Sequence, residues 1–323
     1  MKGGQFVLAL DVGGTNIRMA LVDRQGRITH SRHRKCAIDK GREAFVARLN
    51  DDIHTLHQEA DQSNATILAA GAGVPGLIAR DGTILTSVNL QPLNGLNFRT
   101  ALQEMTSVPT VVLNDANAAA CGEKWYGSGH VFDSILMLTI GTGVGSGLIL
   151  DNRLWTGSDG VAGEYGHMTV EPDGVLCACG NHGCLEQYAS ATALARMARE
   201  ALDAGTESSL AGLSPTRLTA AAIAGAAKDG DRLALALFER AATALGIAAA
   251  TAANLLNPDA LILGGGVAAS FDLLAPTISR TVKERAFPVP AGRLQILKGV
   301  LGDDAGLMGA AAMAWQLLDG TQN

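Results

Sequence analysis

The chain lacks the features of membrane-inserted, secreted and nucleic-acid-binding proteins. Lys and Arg number 25 against 31 Asp and Glu, and the net charge of −6 argues against an extended nucleic-acid or anionic-membrane surface. The first apolar run, residues 6–10, is interrupted by Asp11 and is too short for a signal peptide or a membrane span. Five cysteines are an odd and low count for a disulfide scaffold. The cytoplasm is therefore the simplest location, and neither nucleic acid nor membrane is expected as a partner.

Charged residues are also scarce, at 17% of the chain, while hydrophobic residues reach 47%. This balance indicates a globular protein, and 323 residues suffice for about two domains. Glycine is abundant by contrast, with 39 glycines against 9 prolines, and several of them cluster in three turns that follow apolar strands. A backbone without a Cβ atom can approach a ligand closely, so these turns are candidate binding loops.

Hydrophobic periodicity predicts an α/β protein whose mixed sheet is covered by helices. The predicted strands are 6–10, 17–22, 27–36, 66–73, 110–113, 260–263 and 294–298. The predicted helices are 42–60, 98–105, 116–126, 186–203, 216–228, 231–257, 272–285 and 307–318. Residues 8–23 and 136–151 align without a gap, each as strand, glycine turn, strand and Asp. We favour a duplicated hairpin, one per domain, over a chance likeness between apolar hairpins.

Three of the five cysteines lie within eight residues, and a histidine lies ten residues upstream of the first of them. One His and three Cys form a closed tetrahedral ligand set for a structural Zn²⁺. An unmetallated glycine-rich loop with a buried histidine is the alternative. The pattern H-x9-C-x-C-x4-C predicts a zinc site made by His167, Cys177, Cys179 and Cys184.

Two carboxylates, Glu164 and Glu186, flank the predicted zinc ligands. The metal's expected role is to hold the chain that carries them in one shape. His182, inside the cysteine loop, is a weaker alternative ligand. Cys36 and Cys121 lie apart from the group and are interpreted as ordinary thiols.

The three glycine turns are residues 13–15, 141–143 and 264–266. Backbone N–H groups and Thr hydroxyls in such turns can bind phosphate oxygens, although a single turn is more often only a tight connection. None matches GxxxxGK[ST], and the second turn leads into a strand where a dinucleotide-binding loop leads into a helix. Asp11 precedes the first turn and is unsuited to direct phosphate contact, so a Mg²⁺ ion between the two is expected.

Asp115 follows a buried strand, at the position where α/β proteins bind ligands. As a general base it could take a proton from a substrate hydroxyl while that oxygen attacks phosphorus, a role that contributes about 10²–10⁴-fold. Asn114 would bind a second hydroxyl of the same sugar. The commoner fate of such an Asp is to cap the following helix, which remains the alternative.

These motifs together resemble the ROK sugar kinases over essentially the whole chain. Residues 11–15 are similar to that family's first phosphate motif, residues 113–118 to its catalytic motif, and residues 141–145 to its second phosphate motif. Residues 164–186 match the zinc signature, which is highly specific, and residues 263–266 resemble the adenosine motif. The glycine motifs are shared with the wider actin–hexokinase–Hsp70 superfamily.

The resemblance implies two actin-like α/β domains that flank an active-site cleft. The expected division is 1–117 plus 307–323 for the smaller domain, to which the C-terminal helix returns, and 118–306 for the larger one with the zinc loop. The resemblance also implies ATP and Mg²⁺ as cofactors beside the structural Zn²⁺, and a homodimer.

Carried over residue by residue, the resemblance gives Asp115 as the base that acts on the 6-hydroxyl of a hexose. The implied sugar-binding residues are Asn89, Asn114, Glu164, His167 and Glu186, with one ring nitrogen of His167 on zinc and the other near the sugar. The implied nucleotide and Mg²⁺ residues are Asp11, Gly13, Gly14, Thr15, Asn16, Thr142, Gly143, Gly264 and Gly265.

Within the family the chain most resembles bacterial ATP-dependent glucokinases, which make glucose 6-phosphate. Residues 184–190 are much like theirs, and Glu164 stands where the N-acetylmannosamine-kinase branch often has His. The loop 89–94 lacks the Trp that many glucokinases carry there, so N-acetylglucosamine, mannose, fructose and allose remain alternative substrates. A non-catalytic, sugar-sensing regulator is a further alternative. Such regulators carry a helix-turn-helix ahead of the first phosphate motif, for which the ten residues before Asp11 leave no room.

Overall fold

The computed structural model describes residues 4–320 and has an α/β fold. The strands are β1 (Gln5–Val12), β2 (Asn16–Val22), β3 (Ile28–Lys35), β4 (Thr66–Val74), β5 (Leu77–Ile78), β6 (Ile84–Thr86), β7 (Thr110–Asn114), β8 (Ile135–Ile140), β9 (Val144–Leu150), β10 (Arg153–Leu154), β11 (Ala260–Gly264) and β12 (Gln295–Lys298). The helices are α1 (Arg42–Gln62), α2 (Phe98–Thr106), α3 (Asp115–Tyr126), α4 (Glu186–Ala189), α5 (Ala191–Asp203), α6 (Ala220–Lys228), α7 (Arg232–Leu256), α8 (Phe271–Arg285), α9 (Pro288–Arg293) and α10 (Ala305–Asp319).

Most predicted elements are present, and two helices differ from their predicted form. The predicted helix 186–203 is two helices, because Ser190 has an extended backbone and its side chain caps α5 by accepting from the Ala193 N–H at 3.0 Å. The predicted helix 216–228 begins at Ala220, where Thr219 is the N-cap. The short elements β5, β6, β10 and α9 were not predicted.

The described residues form two compact units. One comprises residues 4–131, Gly147–Gly163 and residues 301–320, and the other comprises Phe132–Ser146 and Glu164–Val300. We call them unit 1 and unit 2. Residues 1–3 and 321–323 of the predicted smaller domain lie outside the described residues.

Unit 1 therefore takes in segments that the sequence analysis assigned to the larger domain. Residues 118–131 belong to unit 1 because α3 packs against α10 by direct backbone contact. A Cβ atom on Gly309 would lie 1.6 Å from the carbonyl oxygen of Ala118, and one on Gly122 would lie 2.1 Å from that of Ala305. Residues 147–163 also belong to unit 1, where the Arg80 guanidinium donates to the carbonyl oxygen of Gly157 at 2.6 Å.

The sheet of unit 1 has the strand order β3-β2-β1-β4-β7. β1 pairs antiparallel with β2, whereas β1, β4 and β7 run parallel. In register, Asp11 lies beside Gly73, and Gly73 lies beside Leu113. The carboxyl ends of the three parallel strands thus bring Asp11 and Asp115 to one edge of the sheet.

The core of unit 1 has the apolar helix face that the sequence predicted. Phe45, Leu49, Ile53 and Leu56 of α1 recur at helical spacing and are all buried. They join a cluster with alternate residues of β1 and β2, such as Leu8 and Leu10. Burial of such side chains contributes roughly 1.5–3 kcal/mol each, which fixes the sheet that carries the site.

In unit 2, β8, β11 and β12 run parallel, with Gly264 beside Thr139 in register. α7 is long and apolar enough to cross a membrane by length and composition alone. Most of its apolar window, 61%, is buried inside the protein, and it packs against α8. A core helix of a globular unit accounts for this composition.

Candidate functional site

The first turn of α3 carries the predicted catalytic motif. Asn114 is the N-cap: its Oδ1 accepts from the N–H groups of Ala116 at 2.9 Å and Asn117 at 3.1 Å. Its Nδ2 donates to the carbonyl oxygen of Gly76 at 3.0 Å. Asp115 is the first helical residue, so the alternative in which Asp115 serves only as the cap does not hold.

Asp115 is exposed to solvent as a residue. Many protein atoms nevertheless lie around its carboxyl group. This burial raises the pKa of Asp115 above its ordinary value. Hydrogen bonds oppose the rise, including one from the Ala116 N–H to Asp115 Oδ1 at 2.9 Å. A solvent-facing carboxylate with a raised pKa can accept a proton at neutral pH.

Asp11 lies at the end of β1 beside further carboxylates. Burial, chiefly, and the negative charge of Asp115 raise the pKa of Asp11 to about 6. Asp303 and Asp304 raise it further, and Arg18 opposes them. A carboxylate with so many acidic neighbours is a suitable ligand for a hard divalent cation such as Mg²⁺.

Arg18 and α10 close the other sides of this acidic cluster. Arg18 lies opposite Asp11 in the β1–β2 register, and its guanidinium donates to the Asp304 carboxylate and to the Asp303 carbonyl oxygen. Gly306, in the first turn of α10, approaches Asp11 so closely that a Cβ atom would lie 3.0 Å from Asp11 Oδ1. The N-terminal end of a helix favours negative charge nearby.

The first glycine turn lies against the loop 89–94, which carries the predicted sugar-binding residue Asn89. A Cβ atom on Gly14 would lie 2.9 Å from the Cβ of Asn89. The Gly13 N–H already donates to the carbonyl oxygen of Asn16 at 2.8 Å, which closes the turn. Thr15 and Asn16 are exposed beside it. Unit 1 thus brings Asn89 and the first turn together.

In unit 2, the four predicted zinc ligands form one cluster. Their donor atoms all lie within 4.8 Å of one another. Cys179 Sγ is 3.6 Å from Cys184 Sγ, and Cys177 Sγ is 3.7 Å from His167 Nδ1. A tetrahedron with Zn–S bonds of about 2.3 Å has edges of about 3.8 Å. The donor set and its spacing therefore fit Zn²⁺.

His167 presents its two ring nitrogens to different neighbours. Nδ1 faces the cysteines, and Nε2 lies 3.9 Å from Glu164 Oε2. His182, the alternative ligand, is not in the cluster, because its Nδ1 binds the carbonyl oxygen of Gly174 at 3.1 Å. The ligands connect directly to the flanking carboxylates: Glu164 caps the single turn Tyr165–His167, and Glu186 follows Cys184 by two residues.

Glu186 binds the second glycine turn. Its Oε2 accepts from the Val144 N–H at 2.9 Å, and a Cβ atom on Gly143 would lie 2.3 Å from that oxygen. The start of α5 holds the same turn twice more, through the Ala191 N–H to Gly141 O and the Thr192 hydroxyl to Thr142 O, both at 2.8 Å. Glu186 and the start of α5 therefore hold the second glycine turn in its observed shape.

Beside Thr142 lies a cavity of about 560 Å³. Its lining includes Thr192, Arg196 and Arg199 of α5 together with the start of α6. Gly264 and Gly265 do not line it. They lie at the end of β11 against β8, where a Cβ atom on Gly265 would meet the carbonyl oxygen of Ile140 at 2.6 Å.

A model of the ROK family matches residues 7–317. The chain belongs to the ROK family. The predicted fold class, the actin-like α/β fold of ROK sugar kinases, is confirmed by this match and by solved ROK structures.

Three relatives of this ROK protein are informative. A glucokinase of Thermotoga maritima is 35% identical over 97% of this chain and 98% of its own. A ROK glucokinase from Streptomyces griseus, solved in complex with glucose and AMPPNP, is 34% identical with a TM-score of 0.76, over 96% of this chain and 99% of its own. A xylose repressor of Caldicellulosiruptor bescii is 31% identical over 95% of this chain and 77% of its own.

Some residues of the candidate site were not predicted from the sequence. Thr192 and the arginines of α5 follow the zinc signature by 6 to 13 positions, but an amphipathic helix gives no sign that one end meets a glycine turn. Arg18 and Gly306 are 288 positions apart and converge on Asp11 only through strand register and the return of α10. The small residues of α10 were the available signal.

Proposed function

We propose that this ROK protein transfers the γ-phosphoryl group of ATP to the 6-hydroxyl of a hexose, with glucose as the favoured substrate and glucose 6-phosphate as the product. The names of the relatives support a sugar kinase. The observation that carries the proposal is the first turn of α3, where Asn114 caps the helix and leaves the Asp115 carboxylate exposed with a raised pKa.

Asp115 is proposed as the general base. It accepts the proton of the 6-hydroxyl as that oxygen attacks the γ-phosphorus, and the bond to the leaving ADP oxygen breaks. Because phosphoryl transfer depends mainly on alignment and charge neutralisation, the base contributes only part of the rate. Its raised pKa brings its basicity nearer to the operating pH.

The proposed sugar-binding residues are Asn89, Asn114, Glu164, His167 and Glu186. The Asn114 side chain is fixed in place, because its Oδ1 accepts from the Ala116 N–H and its Nδ2 donates to the carbonyl oxygen of Gly76. Glu164 and Glu186 lie next to the zinc ligands in sequence. His167, Cys177, Cys179 and Cys184 would hold Zn²⁺, which would supply a rigid structural link and leave no open coordination position.

The proposed nucleotide residues are the glycine turns, namely Gly13, Gly14, Thr15, Asn16, Thr142, Gly143, Gly264 and Gly265. Asp11 would hold Mg²⁺, which would neutralise charge on the phosphates. The cavity beside Thr142, with Arg196 and Arg199 in its lining, is of a size to accept a nucleoside. The cytoplasmic location and the homodimer remain predictions.

A second candidate function is a sugar-responsive regulator without kinase activity. The likeness to the xylose repressor favours it. The two candidates differ in turnover, because a regulator binds its sugar and leaves ATP unhydrolysed.

The deciding experiment is a panel of sugars with ATP and Mg²⁺, followed by the Asp115→Asn variant. We expect glucose to give the highest kcat/KM of the sugars. Asp115→Asn should lower kcat by about 10²–10⁴-fold, and calorimetry should show that its sugar binding is unchanged. Asp272→Asn, which changes an exposed carboxylate of α8, is the matched control and should keep full activity. Sugar binding without turnover in the wild type would favour the regulator, and full activity in Asp115→Asn would refute the general base.

A further inference from the structure

Unit 1 contains a cavity of about 650 Å³ beside the edge strand β7. Residues 111–113 of β7 form one wall, and Met313 and Gln316 of α10 form another. The remaining lining comes from the segments 78–80 and 153–160. Asn114 also lines the cavity, whereas Asp11, Asn89 and Asp115 do not, so the cavity adjoins the proposed sugar site at Asn114 and does not include the proposed base.

Close contacts hold the cavity open in one shape. The Arg80 guanidinium donates to the carbonyl oxygen of Gly157 at 2.6 Å. Gly160 has a φ of +94°, and a Cβ atom there would lie 2.8 Å from the Arg80 nitrogen. The loop 157–160 therefore depends on glycine to approach the chain at Arg80. A preformed cavity loses little entropy when a ligand binds.

The lining is cationic. It contains Arg80, Arg99 and Arg153 and no Asp or Glu. Within residues 4–320, none of the three forms an ion pair, although Asp81 interacts electrostatically with Arg99. Arg80 and Arg99 donate only to backbone carbonyl oxygens. Three guanidinium groups that form no ion pair within the described residues favour an anion, and phosphate matches their planar donors.

Polar and aromatic groups complete the site. Asn117 lines the cavity, is only 3% exposed, and has an Oδ1 atom without a hydrogen-bond partner. Rotation about the terminal torsion of an Asn side chain is soft, so the amide can turn this acceptor toward a ligand hydroxyl. The Trp155 ring, 54% exposed, lies at the cavity and offers an apolar face of the kind that packs on sugar rings.

We propose that this cavity is a second ligand site, which binds a small phosphorylated sugar. The phosphate lies among Arg80, Arg99 and Arg153, and the sugar contacts Trp155 and Asn117. Asn117 and Asp115 share the first turn of α3, so the cavity and the proposed base lie on the same turn of one helix. The choice of glucose 6-phosphate as the probe rests on the proposed function, whereas the site itself rests on the lining.

The test is calorimetric titration of the full chain with glucose 6-phosphate, inorganic phosphate and glucose in separate runs. Saturating glucose is present in the first two runs, so that a product site at Asp115 is already occupied. We expect glucose 6-phosphate to bind more tightly than inorganic phosphate. Arg153→Gln should weaken that binding about tenfold and Arg153→Glu should abolish it, because each removes a charge-assisted hydrogen-bond donor.

Arg217→Gln is the matched control, since Arg217 is an exposed arginine of unit 2 that lies outside the cavity. It should bind glucose 6-phosphate as the wild type does. Equal binding by the wild type and both Arg153 variants would overturn the proposal, as would the absence of binding at millimolar concentrations. A kinase assay of the same samples without added glucose 6-phosphate reports separately on the proposed function.

Discussion

At the scale of the residue, the candidate site depends on which carboxylate is used for structure and which remains available. Asn114 satisfies the N-terminal N–H groups of α3, so Asp115 is not needed as the cap. Asp11 lies among Asp115, Asp303 and Asp304, with Arg18 opposite. The folded chain therefore pays an electrostatic penalty at Asp11 that a bound cation would relieve.

The raised pKa of Asp11 predicts a pH-dependent loss of stability. Between pH 3.8 and about 6 the folded state binds more protons at Asp11 than the unfolded chain does, so the free energy of unfolding falls as pH rises through that window. Asp11→Asn removes this term. In urea titrations without Mg²⁺, the stability of the variant relative to the wild type should increase from pH 4 to 6, by at most about 3 kcal/mol. Above pH 6 the difference in the free energy of unfolding should stay constant.

Asp39→Asn, at an exposed position far along the chain from the cluster, is the control and should follow the wild type at every pH. A difference between Asp11→Asn and the wild type that does not change with pH would contradict the assigned pKa. Added Mg²⁺ should stabilise the wild type above pH 6 and leave Asp11→Asn unaffected.

Gly143 lies against the carboxylate of Glu186 in the second glycine turn. Gly143→Ala places a methyl group 2.3 Å from Glu186 Oε2, which must move and break its bond to the Val144 N–H. We expect the KM for ATP to rise about tenfold, measured by steady-state kinetics, because the turn loses its shape. Gly141→Ala is the control, since a Cβ atom there meets nothing within 4 Å. If the KM for ATP is the same in the two variants, the shape of this turn does not affect nucleotide binding.

At the scale of the element, α3 is held by α10 through backbone contact and not through large side chains. Gly122 and Gly309 allow the two helices to approach until carbonyl oxygens touch the facing Cα atoms. α10 also packs on β1 and β4, so it links the strand that ends at Asp11 with the helix that begins at Asp115. The distance between these two carboxylates is therefore set by a helix from the end of the chain.

Gly309→Ala should destabilise the protein by about 3 kcal/mol, because its methyl group would lie 1.6 Å from the Ala118 carbonyl oxygen and the backbones must separate. Gly225→Ala, in the interior of α6 with open space around the new Cβ atom, should instead stabilise by about 0.5–1 kcal/mol. Urea unfolding measures both. If the two substitutions change the free energy of unfolding by similar amounts, helix propensity determines the effect and the contact between α3 and α10 does not.

At the scale of the whole molecule, the two units rely on different sources of order. Unit 1 has a large apolar cluster that joins its sheet with α1 and α2. The segment of unit 2 from Glu164 to Glu186 contains one short turn of helix and isolated bridges, so its backbone has little regular hydrogen bonding. A metal that crosslinks four side chains would supply the missing order.

Removal of the metal should therefore act on one unit. Cys179→Ser should lose bound zinc, measured by elemental analysis, and hydrogen exchange should accelerate in residues 164–190 while the strands of unit 1 stay protected. Cys36→Ala, which removes a thiol of the unit 1 core, is the control and should keep its zinc. Unchanged metal content in Cys179→Ser would refute the ligand set.

Much of the fold and the metal site could be predicted from the sequence, because both are encoded locally. The apolar face of α1 follows the helical period, and the strands β1 and β7 are short apolar runs. The four candidate metal ligands lie within 18 positions, and the structure brings their donor atoms together. The break at Ser190 was missed because a cap residue between two apolar helical segments does not interrupt the hydrophobic pattern.

The sequence by itself thus determined the family motifs, the candidate ligand set for a metal and the strand ends at Asp11 and Asp115. The tertiary structure decided the surroundings of each: the acidic neighbours of Asp11, the hold of Glu186 on Val144 and the cationic cavity beside β7. The physical reason is range. Periodicity and ligand spacing act over a few residues, whereas pKa values and cavities depend on groups that only long-range packing brings together.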